Sequence, residues 1–294
     1  MTKTPLISII IIGFNTQKEL KRLLLSISTL TYKKIETIYV DDGSSDDSYK
    51  IYSSFKSDYN KKGIKLKKNA GRAFATQKGI QAASGDWFYF IRSNEEVFLN
   101  TFDQYLKLIQ HNSALAYAGS VQYKSQDKAF EKYLNNRKRG VNNYKPGQNI
   151  DYQYFLFNNS MVHSSVFKSI KLNQKLSKYG GEELDFAYRL NKLYPHQIQA
   201  CPNGAVLRKN YPNLIAHCQR LYEFGNFNLK FLPNQLKKIV VKCPALLTFN
   251  LHFIVTTVNG LCLKLYPLKN KKLNYYLIRI IMLCSILRGY YKRS

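Results

Sequence analysis

Residues 6–12 read LISIIII, a continuous apolar run dominated by β-branched isoleucine. Such a run suits a strand covered on both faces, whose side chains point alternately into two apolar layers. A strand buried on both sides needs helices above and below it, so the surrounding chain must supply crossovers. It does. After GFN, the stretch QKELKRLLLSIS places Leu20, Leu23, Leu24 and Ile27 at helical spacing. KIETIYVDDGSSDDS is a second strand ending in an acidic turn, and DDSYKIYSSF begins a helix capped by Asp46 or Asp47. GIKLKKN predicts a short third strand, RAFATQKGIQAA a third helix and WFYFI a fourth strand.

Strands alternating with helices at this pitch define an α/β fold with a mostly parallel sheet. Ligands of such sheets bind outside the carboxyl ends of the strands. Gly13–Asn15, Asp41–Asp42, Asn69 and Arg92–Glu96 each follow a predicted strand directly. Four polar clusters are therefore expected along one edge. Further on, the pattern predicts a helix at 101–112 and a strand around ALAYAGSV, followed by a basic stretch, KYLNNRKRGVNNYKPG. YGGEELDFAYRLNKLY reads as a glycine turn opening a helix. Its first turn carries Glu182, Glu183 and Asp185, favourably placed against the helix dipole. Asp185 and Arg189 have the spacing of a helix-surface ion pair.

The 294 residues carry a formal net charge of +27, which calls for an anionic partner: nucleic acid, anionic membrane or a phosphorylated substrate. No nucleic-acid recognition motif accompanies the charge, so a nucleic-acid partner is not expected. After Glu223 no acid occurs, while Lys and Arg continue to the end. Five widely spaced cysteines without a CxxC or CxxH pattern argue against a disulfide framework and a zinc site, and point to a reducing compartment. The N-terminal apolar run is short, breaks at Gly13 and lacks a signal-peptide cleavage pattern.

PLISIIIIGFN, IYVDDGSSDDS, NAGRAFATQKGIQAASGDWFYFI, GGEELDFAYRL and QRLYEFGNF occur in an order and spacing that resemble family 2 glycosyltransferases of the GT-A fold. The resemblance covers about residues 5–227 and implies transfer of a sugar from a nucleotide-diphosphate donor, commonly a uridine one, to an acceptor hydroxyl. By resemblance, Phe14, Asn15, Asp41 and Asp42 hold the nucleoside, and Asn69 and Arg72 lie beside base or phosphate. Ser44–Asp47 are expected to serve the turn and helix cap alone. Glu183 stands where the family's catalytic base stands, with Glu182 pairing with it or orienting the acceptor, and inversion needs one such base. Arg220 falls in the segment that closes over the diphosphate.

FIRSNEEV occupies the place of the family's metal-binding Asp-x-Asp, with Arg92, Ser93 and Asn94 in the equivalent positions. Three readings stand open. Asn94 and Glu95 hold Mg²⁺ or Mn²⁺ through oxygen; Arg92 replaces part of the metal's charge; or the chain is a non-catalytic GT-A homologue acting as a sugar-binding or partner-transferase subunit. Upstream of Arg220, Asn210 and Tyr211 stand where a family member often has a metal-ligating histidine. His163 and His217 are read as sugar or phosphate contacts, or as structural.

By the same resemblance, residues 1–228 form the GT-A domain, with 1–100 as the donor half and 101–228 as the acceptor half. Residues 229–294 form a basic, apolar helical region. ALLTFNLHFIVTTVNGLCLKLYP is long enough to cross a bilayer, but Asn250, His252, Asn259 and Gly260 interrupt it, as Arg279 interrupts LNYYLIRIIMLCSILRGYYKR. Two amphipathic helices lying in the interface are the expectation, with spanning segments or a plain helical subdomain as alternatives. The implied setting is the cytoplasmic face of a bacterial membrane. There the enzyme would build a surface polysaccharide or glycoconjugate on a lipid-linked or polymeric glycan acceptor.

Overall fold

The computed structural model describes residues 4–111, 113–268 and 270–292. Its centre is one eight-stranded sheet. The first half is β1 (Ile7–Gly13), β2 (Ile35–Asp41), β3 (Asn60–Lys65) and β4 (Trp87–Arg92), all parallel, in the order β3-β2-β1-β4. α1 (Gln17–Ser28), α2 (Ser48–Ser54) and α3 (Arg72–Ala82) make the crossovers. β5 (Glu96–Val97), α4 (Thr101–His111), β6 (Ala116–Ser125), α5 (Lys128–Leu134), β7 (Ser160–His163), α6 (Val166–Ser169), α7 (Glu182–Leu193), β8 (Ile198–Tyr211) and α8 (Leu214–Asn226) follow. The sheet continues from β4 through β7, β6, β8 and β5, with β7 antiparallel to both neighbours. Two reversals restore direction, so β6 runs the same way as β1, β2 and β4.

The isoleucine run divides as its period of two requires. Ile7, Ile9 and Ile11 enter a layer with Leu20, Leu23 and Ile27 of α1, while Ile10 enters the opposite layer with Ala75 of α3 and Phe186 of α7. Each fully buried isoleucine stabilises the fold by about 1.5–3 kcal/mol. Between the halves sits Asn159, wholly buried, whose side chain accepts from the hydroxyls of Tyr89 (2.7 Å) and Tyr105 (2.8 Å). Its amide donates to the carbonyls of Ser120 and Gly204.

Some boundaries differ from expectation. The third strand starts at Asn60 rather than Gly63, because it is a lysine-rich edge held by backbone pairing to β2 and carries no apolar alternation to read. β6 extends to Ser125, drawn out by parallel pairing with the 14-residue β8, a strand that sequence pattern did not reveal. All five cysteines are free thiols.

The C-terminal region adds α9 (Asn234–Val241), α10 (His252–Leu265) and α11 (Lys271–Tyr291). α11 packs one face into the body, with Ile278, Ile281, Leu287 and Tyr291 buried against α5, α8 and their neighbours, while Leu273, Tyr276 and Ile280 stay exposed on the other. Its crossing with α8 is backbone to backbone, since a Cβ on Gly225 would lie 1.9 Å from the Ile286 carbonyl and one on Gly289 2.0 Å from that of Tyr222. α10 is the more exposed of the two, with Phe253, Ile254, Leu261 and Leu265 all outward. Among the described residues no helix is long and apolar enough to cross a membrane.

Candidate active site

The parallel strands end level with one another, Gly13 opposite Asp41 and Ile12 opposite Arg92. The loops leaving them are tied together. The Asn15 backbone N–H donates to Ser44 Oγ (2.9 Å), and its side chain accepts from the Ser45 N–H (3.0 Å). Phe14 stands exposed beside it. Asp41 is wholly buried and accepts from the Ser44 N–H (2.7 Å) and the Tyr39 hydroxyl (3.3 Å). Asp42 accepts from the N–H groups of Ala70 (2.8 Å) and Gly71 (3.1 Å). Burial pushes the Asp42 carboxyl above its ordinary value despite these donors. Gly71 reaches this position with φ +90, and a Cβ there would meet the Ser177 carbonyl at 2.0 Å, so only glycine serves. Asn69 is exposed on the same loop. Asp46 binds the N–H groups of Ser48 and Gln17, the turn-stabilising task expected of it.

Two carboxylate–guanidinium pairs meet next to these loops. Gly181, left-handed at φ +91, turns the chain into α7, whose first two residues are Glu182 and Glu183. Arg72, first residue of α3, places Nη2 2.7 Å from Glu182 Oε1. Arg92, last residue of β4, donates from Nη2 to Glu183 Oε1 at 2.7 Å, and the Phe157 N–H approaches the same oxygen at 3.3 Å. A cavity of about 20 Å³, large enough for about one water, lies between Arg72, Thr76, Arg92, Phe157 and the two glutamates.

The two carboxyls titrate in opposite directions. Burial raises both, but beside Glu183 the Arg92 charge, with help from Arg72, outweighs burial and holds it below its ordinary value. At Glu182 burial wins over Arg72, and the adjacent Glu183 charge adds to the rise. One carboxyl is thus held below its ordinary value and its neighbour pushed above it, the kind of opposition that acid–base pairs use.

The other expected residues fall as follows. Ser93 is buried, its N–H on the Ile12 carbonyl. Asn94 is half-buried, and its Oδ1 has no hydrogen-bond partner. Glu95 departs from the ligand role expected of it. Its side chain is 0% exposed; Oε2 accepts from the Arg92 N–H at 3.0 Å and Oε1 lies 3.9 Å from Arg208. Burial pushes its pKa up to about 7, against the pull of Arg208 and Arg92. A hard divalent cation wants several oxygen ligands with carboxylates among them. Here Asn94 offers a single buried amide oxygen, and Glu95, Glu182 and Glu183 are all turned to arginines. Among the described residues no group of three or more His, Cys, Asp or Glu is disposed to hold a metal. Asn210 is exposed and Tyr211 turns inward, its hydroxyl against His217 Nδ1. The residues present do not fit a divalent-cation site. His163 and His217 both pack: burial lowers each, His217 to about 3, and both lie against aromatic rings.

The glycosyl transferase family 2 profile matches residues 8–171, more than half of the chain. The chain belongs to glycosyl transferase family 2. Glycosyltransferase GlyG of Streptococcus pneumoniae is 28% identical over 197 residues, 65% of this chain and 65% of that protein. The chain spans less than two thirds of the length of the curated relatives it matches. Staphylococcus aureus TarS 1–349, solved with UDP, superposes with a TM-score of 0.57 at 17% identity, covering 98% of this chain and 91% of that one. The mannosyltransferase PcManGT of Pyrobaculum calidifontis, solved with GDP-Man and Mn²⁺, gives 0.66 at 12% identity, covering 100% and 89%. These superpositions bear out the GT-A-like sheet expected from the motifs.

Two residues of this family 2 chain escaped the sequence reading. Tyr179 lies under Arg72 (4.8 Å from guanidinium carbon to ring centre) and near Arg220 (6.0 Å), and so draws the QRLYEFGNF segment to the site. Arg208 is buried between Glu95 and the Tyr211 ring. The one signal for Tyr179 was its place before Gly180 and Gly181. For Arg208, inside an unrecognised strand, there was none.

Proposed function

We propose that the chain transfers a sugar from a nucleotide-diphosphate donor, a UDP-sugar, to an acceptor hydroxyl with inversion, in the synthesis of a bacterial surface polysaccharide or glycoconjugate. The observation that carries this reading is the meeting of the Arg72–Glu182 and Arg92–Glu183 pairs beside the Asp41–Asp42 strand end. The loops around Phe14, Asn15, Asp41, Asp42 and Asn69 take the nucleoside, where carboxylates accept from a base N–H or ribose hydroxyl. Arg72, Arg92 and Arg220 neutralise the diphosphate, guanidinium serving phosphate oxygens in pairs of hydrogen bonds. Glu183 takes the acceptor proton. At rest Arg92 makes it a weak base; when the diphosphate draws on Arg92, the carboxylate recovers basicity at the moment a donor is present. Asn94, with its unpartnered oxygen, accepts from a sugar or ribose hydroxyl.

α10 supports the membrane-surface part of this reading. Phe253 is 82% exposed, and Phe249, Ile254, Leu261 and Leu265 are exposed with it. Such a surface on an acid-free, lysine-bearing segment suits the boundary of an anionic bilayer, on whose cytoplasmic face a lipid-linked or polymeric acceptor is presented.

The test is release of UDP from UDP-sugars with membrane extracts as acceptor, with EDTA and with Mn²⁺. Turnover that persists in EDTA, and falls at least about 10²-fold in Glu183→Gln, is expected. No release under either condition would leave a donor-binding protein without turnover.

A further inference from the structure

We propose that the cavity between α5 and the start of α11 is a second anion site, built to take a phosphate group attached to a less polar body. Its volume is about 560 Å³, many times that of the space between the glutamates. Lys132 of α5, Lys138 beyond it, and Lys271 and Lys272 of the first turn of α11 all line it, and among the described residues no Asp or Glu does. The nearby acids are committed elsewhere. Glu131 pairs with Lys124 and Lys128, and Asp127 accepts from Phe130, Leu214 and the Tyr266 hydroxyl.

Four ammonium groups around one hollow repel one another. The Lys132 amine is lowered by the close approach of Lys271, a second cation. An anion between them would reverse that repulsion. The N–H groups of Lys272 and Leu273 are already capped by Asn270, so the lysines and not the helix end would meet the ligand. Tyr133 and Tyr275, with ring centres 5.0 Å apart, form an aromatic wall, and Leu268 and Ile278 add apolar surface. Arg139, stacked on Tyr133 at 4.2 Å, extends the positive field.

The cavity is also well placed. α5 follows β6, which runs parallel to β1, β2 and β4, so α5 begins beyond the sheet edge that carries the glutamates. A phosphate on the glycan acceptor is the occupant this position favours. That assignment rests on the transfer reading above; the cavity's affinity for phosphate does not.

Titration calorimetry of the full chain with inorganic pyrophosphate tests the site. Lys132→Glu/Lys271→Glu should weaken one binding component at least tenfold. Lys18→Glu/Lys21→Glu, with the same change of net charge on the exposed face of α1, should not, and Arg92→Ala should affect a different component. Flotation of the Phe253→Asp/Leu261→Asp variant, which removes the exposed apolar face of α10, with phosphatidylcholine vesicles, with and without phosphatidic acid, separates the sources. Capture that needs phosphatidic acid and is competed by pyrophosphate identifies a lipid headgroup; pyrophosphate binding without capture identifies a soluble phosphate. Equal pyrophosphate binding by wild type and the Lys132/Lys271 variant, or equal loss in both charge-matched variants, overturns the proposal. Pyrophosphate binding that survives where sugar transfer fails would retain the site and discard only the acceptor assignment.

Discussion

Glu183 and Arg92 share a hydrogen bond of 2.7 Å, and each sets the other's behaviour. The guanidinium holds the carboxylate ionised below its ordinary range, so the resting chain carries a base that is deprotonated yet weak. Removing the cation should therefore move the acidic limb of the kcat/KM profile upward in Arg92→Gln. Arg92→Lys, which keeps the charge, should leave the limb near its starting point while raising KM. A pH–rate profile of the three proteins decides. An unmoved limb in Arg92→Gln would mean that Glu183 is not the titrating base. The same residues show how far sequence reached. Glu182, Glu183, Asp41, Asp42, Arg72 and Arg92 stand where strand-end and helix-start logic puts them. Which oxygen faces which guanidinium depends on residues about a hundred positions apart, beyond any local pattern.

At the scale of elements, α11 and α10 part company although both read as interrupted apolar stretches. α11 is pinned to α8 where glycines let the backbones touch. Gly225→Val should clash with the Ile286 carbonyl and cost about 3 kcal/mol or more, as overpacking does. Urea melts would register it as a lower midpoint, and an unchanged midpoint would mean that the helices do not cross there. α10 instead leaves its apolar residues outside. Phe253→Asp/Leu261→Asp should abolish sedimentation with phosphatidylglycerol vesicles while leaving the thermal midpoint within about 2 °C, since exposed sites contribute little to stability. Undiminished sedimentation would remove α10 as the contact.

For the whole molecule, the buried Glu95 ties folding stability to pH. Its folded pKa of about 7 lies above the ordinary 4.5, so between these values the folded chain keeps a proton that the unfolded chain has lost. Stability from this group is complete below the lower value and declines as pH rises through the upper one, by about 3 kcal/mol in all. Glu95→Gln should flatten that decline. Melts at intervals from pH 4.5 to 7.5 would reveal it, and parallel curves for variant and wild type would refute it. The local sequence determined the alternation of strand and helix, the two-faced burial of LISIIII and the collection of polar residues at one edge. Those follow from periodicity and from the geometry of parallel sheets. Only the tertiary structure decided that Glu95 turns inward, that Tyr179 joins two arginines and that α11 belongs to the core. Each of these depends on contacts between segments far apart in the chain, where burial and charge pairing are set by neighbours that local sequence does not specify.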